Sequence, residues 1–198
     1  MVNQLRKGIS GLRIIAGSAR GRTLKSPKGM STRPTTDRVR EALFNILAHQ
    51  VPDSKFLDLF SGTGAVAIEA LSRGAARAVL VEKDRSAATI ILNNLKLCGF
   101  SEKAQVLVLD VQRAIQTLGK KKEVFDLIFI DPPYKHGHEV PTMEGIERQG
   151  LLSPHGTLVV ESNKSDLPPD LVGRLAAYRR EKYGDTALTF YRYDSPGG

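Results

Sequence analysis

FLDLFSGTGAVAIEALSRG, residues Phe56 to Gly74, joins three pieces in one run. Phe56-Leu57-Asp58-Leu59-Phe60 is apolar and short enough for a buried strand. Ser61-Gly62-Thr63-Gly64 is a turn. Val66, Ala67, Ala70 and Leu71 then recur at helical spacing until Arg73-Gly74 closes the helix. Strand, glycine turn and helix in that order form the first unit of a doubly wound α/β sheet. Glycines let the backbone approach a ligand closely, and the helix start behind them offers free N–H groups. Gly62, Gly64 and Ala67 also satisfy G-x-G-x-x-A, so a nicotinamide cofactor and a ligand-free tight turn compete as readings of the turn alone.

Strand and helix patterns continue on both sides. Ala78 to Val81 reads as a second strand ending in Glu82-Lys83-Asp84, and a helix over about 85–97 is stopped by Gly99. Gln105 to Leu109 is a third strand ending in Asp110, followed by a short helix to Leu118. Val124 to Ile130 is a fourth, ending in Asp131-Pro132-Pro133-Tyr134. Leu158 to Val160 is a fifth, and the runs 177–183 and 188–193 read as an antiparallel pair at a sheet edge. Alternation of this kind predicts an α/β fold. Upstream, 12–16 and 22–25 read as the two strands of a hairpin around Gly17 to Gly21, and Thr35-Thr36-Asp37 as the cap of a helix over about 37–49. The expected division is a basic hairpin extension over 1–34 and a main domain over 35–198.

The chain has 198 residues, 41% of them hydrophobic, enough for one sizeable core. It shows no apolar run of membrane-spanning length, and its first residues lack the apolar centre of a signal peptide. The single Cys98 excludes an internal disulfide, and no His/Cys cluster has zinc spacing, so no metal is expected. A cytoplasmic protein fits these features, and a monomer is the default expectation. Net charge is +8 and the pI about 9.7, a balance that favours a nucleic-acid partner. Before Ser54 the chain carries Arg6, Lys7, Arg13, Arg20, Arg22, Lys25, Lys28, Arg33, Arg38 and Arg40 against Asp37, Glu41 and Asp53. Arg20, Arg22, Lys25, Arg33 and Arg38 are the expected RNA contacts.

Asp58, Glu82, Asp110 and Asp131 each fall where a strand ends. In an open parallel sheet the ligand crevice lies at the carboxyl ends of the strands, so the four converge on one pocket. An acidic residue at such a place is often only a helix cap; four in phase argue for more. The set suits S-adenosylmethionine. Glu82 is spaced to take ribose hydroxyls, Asp110 with the Val111 backbone to meet the adenine, and Asp58 with the Gly62–Gly64 backbone to meet the methionine end. Phe60, Ser61 and Lys83 complete the expected cofactor-binding set. Asp131-Pro132-Pro133-Tyr134 is the most specific motif. An Asp131 carboxylate and the Pro132 carbonyl can accept the two N–H bonds of an exocyclic amine, leaving its lone pair aimed at a sulfonium methyl. Pro133 helps fix that backbone, and Tyr134 offers a face on which a base can stack. A dinucleotide oxidoreductase has no use for this motif.

DLFSGTG, the Glu82 strand end, Asp110 and DPPY together resemble the amino-group methyltransferases of the class I Rossmann-like fold. RIIAGSARGRTLKSP (Arg13 to Pro27), STRPTTDRVREALFNIL (Ser31 to Leu47) and IEALSRGA (Ile68 to Ala75) extend the resemblance to the RsmD-type bacterial 16S ribosomal RNA guanine-N2 methyltransferases. The resemblance implies a mostly parallel seven-stranded sheet with its last strand antiparallel, plus an N-terminal hairpin for RNA. It also implies methyl transfer from S-adenosylmethionine to one guanine of 16S RNA, in the small subunit or an assembly intermediate. DPPY also serves adenine-N6 enzymes, so that activity is an alternative. A third reading is an assembly factor acting mainly by binding RNA.

Overall fold

The computed structural model describes residues 12–26, 34–132 and 137–194. Arg33, Pro133 and Tyr134 therefore lie outside the described residues. The α-helices among the described residues are α1 (Pro34–Ile46), α2 (Ala65–Ser72), α3 (Arg85–Cys98), α4 (Val111–Lys120) and α5 (Glu139–Arg148). The strands are β1 (Lys55–Asp58), β2 (Arg77–Val81), β3 (Ala104–Leu107), β4 (Phe125–Ile130), β5 (Leu152–Asn163), β6 (Leu171–Val172), β7 (Leu175–Tyr183) and β8 (Thr186–Tyr193). They form one sheet in the order β3-β2-β1-β4-β5-β8-β7-β6. β1 to β5 are mutually parallel. The last strand, β8, runs antiparallel between β5 and β7, as expected. Strand count differs from expectation: among the described residues the sheet has eight strands, because the two-residue β6 pairs along the edge of β7.

Side chains alternate across each strand, so each strand feeds two cores. Phe56, Leu80, Leu127, Phe129, Val159 and Leu188 face a core shared with Leu43 and Phe44 of α1, Ile68 of α2 and Ile91 of α3. Leu57, Val79, Ile128, Ile130, Leu158 and Val160 face the other, closed by Ile115 and Leu118 of α4 and Ile146 of α5. Central strands buried on both faces explain the continuous apolar runs of the sequence.

The N-terminal segment turns back on itself, but its two arms are not extended ladder strands. One antiparallel bridge joins Arg13 and Thr23. The Leu24 N–H donates to the Leu12 carbonyl at 2.7 Å and the Ile14 N–H to the Arg22 carbonyl at 3.0 Å. Leu12, Ile14, Ala19 and Leu24 enter the first core. The expected cap at Asp37 is also displaced: α1 starts at Pro34, a residue suited to a first helical position. Asp37 lies inside the first turn and pairs with Arg40 at 3.1 Å. Arg40, counted in the basic run of the sequence, is buried and faces Glu69 as well, so it is no surface cation.

Fully buried Glu69 of α2 is what seats the hairpin. Its two oxygens accept the Ile15 and Ala16 N–H groups at 2.8 and 2.9 Å, and it pairs with Arg73 at 2.7 Å. Close approach does the rest. Gly17 has φ +80°, and a Cβ there would stand 1.8 Å from the Ser72 carbonyl oxygen. Buried Asn94 of α3 bonds both the N–H and the carbonyl of Lys25 and also reaches the Thr63 carbonyl in the glycine turn. The hairpin is thus tied to the turn through one side chain. Among the described residues, no helix is long and apolar enough to cross a membrane.

Candidate active site

The glycine turn sits where the sequence places it, at the carboxyl end of β1. Gly64 is the N-cap of α2 with φ +77°, and a Cβ there would press on Leu80 and Ile91 at 3.2 and 3.3 Å. Gly62 has φ +53°, and a Cβ there would meet nothing within 4 Å, so the turn opens on free space. Ser61 is committed to the turn itself. Its N–H donates to the Val81 carbonyl at 3.0 Å and its hydroxyl to the Asp58 carbonyl at 2.9 Å. Glu82 faces the turn: Oε2 accepts the Gly62 N–H at 3.0 Å and Oε1 the Asp84 N–H at 2.9 Å. Each oxygen keeps a lone pair for a further donor. Asp110 caps α4 by accepting the Gln112 N–H at 2.9 Å, beside half-buried Val111. Half-buried Phe60 lies 6.5 Å from the His138 ring, and Lys83 is exposed.

Asp58 is the floor of the site. It is buried, and its Oδ1 has no hydrogen-bond partner. Burial first, and the Asp131 charge second, push its pKa up to about 7, against partial relief from hydrogen-bonding groups of Phe60, Ser61 and Ala67. Asp131 follows β4 and is half-buried; burial pushes it up to about 7 as well. Pro132 is buried beside it.

Sequence reasoning missed one residue of this site. Glu161 lies near the end of β5, half-buried, and its pKa is pushed up to about 8, by burial first and by the Asp131 charge second. Ile130 and Val160 are register partners, so Asp131 and Glu161 are the next residues along two adjacent parallel strands. Phe56, Phe129 and Val159 all face the first core, and two residues on from each come Asp58, Asp131 and Glu161. By strand alternation the three carboxyls share that face. The available signal was an acidic residue ending the fifth apolar run, in phase with the other four.

The donor set can be tested against the expected cofactor. An orphaned, buried carboxylate oxygen at Asp58 calls for a cationic donor such as an α-amine. Glu82 retains acceptor capacity for vicinal hydroxyls, and Gly62 leaves room at the turn. These features fit S-adenosylmethionine.

Arg20, Arg22, Lys25 and Arg38 are exposed. One Arg22 guanidinium nitrogen donates to the Leu97 carbonyl at the end of α3, which leaves that side chain partly engaged.

A family model described as "Conserved hypothetical protein 95" matches residues 12–192. The chain belongs to this family. Ribosomal RNA small subunit methyltransferase D of Escherichia coli K12 is 36% identical over 190 residues, covering 96% of this chain and 94% of that one. The family's RsmD-type resemblance therefore spans nearly the whole chain. The solved structure of YhhF from Escherichia coli superposes with a TM-score of 0.83 at 33% identity, covering 93% of this chain and 98% of the other. A more distant fold neighbour, SMU.776, was solved in complex with SAH. It has a TM-score of 0.62 at 18% identity and covers 79% of this chain and 49% of its own.

Proposed function

We propose that this protein transfers a methyl group from S-adenosylmethionine to the exocyclic N2 amine of one guanine in 16S ribosomal RNA. The observation that carries the reading is the order of acidic residues along the sheet: Asp110, Glu82, Asp58 and Asp131 after β3, β2, β1 and β4. Read along that line, Asp110 and Val111 hold adenine, Glu82 holds ribose, and Asp58 with Gly62 and Gly64 holds the methionine end. Asp131 is then beside the reacting methyl. The methyltransferase name of the Escherichia coli relative, and the SAH held by a protein of the same fold, support this reading.

When bound, the cofactor supplies an electrophilic methyl. The protein's part is to present the nucleophile. Asp131 and the Pro132 carbonyl accept the two N–H bonds of the amine and so free its lone pair. A carboxyl poised at about 7 can also take the proton that the amine sheds. Tyr134 stacks on the base, and the hairpin cations Arg20, Arg22 and Lys25, with Arg33 and Arg38, hold phosphates. On this reading 1–34 is the RNA-docking element of the 35–198 catalytic domain.

The experiment is methyl transfer from labelled S-adenosylmethionine to small-subunit RNA from cells lacking the activity, followed by nucleoside analysis. Labelled N2-methylguanosine supports the proposal. Labelled N6-methyladenosine, or no label in either naked RNA or assembled particles, refutes it.

A further inference from the structure

Glu161 has no part in the reaction as described above, yet it completes the row of strand-end carboxyls. The sheet order β3-β2-β1-β4-β5 sets Asp110, Glu82, Asp58, Asp131 and Glu161 in spatial sequence. The first three account for a cofactor from its adenine to its methionine. The partnerless Oδ1 of Asp58, feeling the Asp131 charge, marks where the cationic end of that ligand must lie. Cofactor therefore covers the strands on one side of Asp131. The methyl acceptor has to enter from the other side, over β5, and Glu161 is the carboxyl that stands there. Leu188 is its partner across the antiparallel β8, so that neighbour supplies no charge. Among the described residues, the only charge that acts appreciably on Glu161 is Asp131. An acidic pair with no cation between its members calls for two donors from the substrate.

We propose that Glu161 accepts the ring N1–H of the target guanine while Asp131 accepts an N2–H, so that the two carboxylates read guanine's adjacent donors. This inference rests on the guanine-N2 reading and deepens it. Adenine presents an acceptor at N1 and would set a lone pair against the Glu161 carboxylate. The residue is thus a specificity determinant that rejects the other common DPPY substrate. Burial raises the proton affinity of Glu161 in the empty site, and the guanine N1–H donor would favour its ionised form on binding.

The test uses RNA carrying either guanine or 2,6-diaminopurine at the methylated position, presented naked or protein-bound according to which form the wild type modifies. Diaminopurine keeps the 2-amine but offers an acceptor at N1. Wild type should prefer guanine about 10- to 100-fold, in kcat/KM and in affinity with the demethylated cofactor bound. Glu161→Gln, whose amide can donate to N1, should lower guanine turnover, raise diaminopurine turnover and bring the ratio near unity. Its cofactor affinity should be unchanged. An unchanged ratio overturns the assignment, as does loss of both activities with cofactor binding intact, because glutamine can partner either edge. Production of N6-methyladenosine by the wild type would instead refute the guanine-N2 reading on which the inference rests.

Discussion

At the residue scale the proposed function rests its chemistry on single carboxyls. Asp131→Ala should lower kcat about 100- to 1,000-fold, as loss of one preorganised polar contact does, with little change in cofactor affinity. Single-turnover kinetics beside cofactor titration checks this, and equal losses in both would place Asp131 in cofactor binding. Glu82 needs a subtler variant, since it also holds the Gly62 and Asp84 N–H groups. Glu82→Gln keeps one acceptor oxygen, enough for the Gly62 N–H or the Asp84 N–H but not both, and loses the charge that strengthens bonds to ribose. The cofactor at 100 times its dissociation constant should stabilise wild type by about 2.7 kcal/mol, and the variant measurably less at the same concentration. Equal thermal shifts would remove Glu82 from the site. The buried carboxyls also set a pH dependence. Asp58 and Asp131 rise from an ordinary 3.8 to about 7, and Glu161 from 4.5 to about 8. The folded state holds these protons more tightly than the unfolded chain does. Their stabilising contribution is complete below about 4 and is lost as pH rises to 7 or 8. Ligand-free protein should therefore lose stability across that window, and Asp131→Asn should flatten the loss in denaturant titrations; an identical slope in the variant would contradict the account. Asp58, Glu82 and Asp131 were legible in the sequence because each follows a plain apolar run. Glu161 also ends an apolar run and was passed over: that run is only the three residues 158–160, because Ser153-Pro154-His155-Gly156 breaks the apolar pattern of the twelve-residue β5.

Hairpin and helices meet at the element scale. Apolar residues at 12, 14 and 24 made the hairpin legible, but its anchors were not, because Glu69 and Asn94 lie more than fifty residues away. No local pattern reports such a contact. Helix α5 also escaped, since Pro141 and Gly145 interrupt its pattern. Pro141, at its third position, is tolerated because no N–H in the first turn needs an intrahelical partner. Glu69→Gln should destabilise the fold by about 3–5 kcal/mol, because it leaves buried Arg40 poorly compensated. Hydrogen exchange at Ile15 and Ala16 should rise in the same variant, and unchanged protection there would show that Glu69 does not seat the hairpin. The exposed cations act differently. Replacing Arg20, Arg22 and Lys25 with alanine should reduce the log–log salt slope of RNA binding by about 0.7 to 0.9 per lost phosphate contact. Arg22 also bonds the Leu97 carbonyl, so part of its loss is structural. Asn94 grips only the backbone of Lys25, so the turn and cofactor binding should survive. An unchanged slope with unchanged affinity would remove the hairpin from RNA docking.

For the whole molecule, the proposed function makes the sheet a one-dimensional layout of a reaction. On that reading cofactor recognition occupies the strand ends on one side of Asp131 and the acceptor enters on the other, while the basic hairpin rests on α2 and α3 through Glu69 and Asn94, the latter also reaching the glycine turn. The excess of positive charge, +8 over 198 residues, fits a polyanionic substrate larger than a mononucleotide. An assembly factor that only binds RNA would leave the row of carboxyls without a use. Mass-spectrometric nucleoside analysis of 16S RNA separates the two, in cells lacking this protein and supplied with either wild type or Asp131→Ala. The account predicts that wild type restores one N2-methylguanosine and that the variant, still stabilised by the cofactor, restores none. Restoration by the variant, or a wild type that leaves every guanine unchanged, would contradict it.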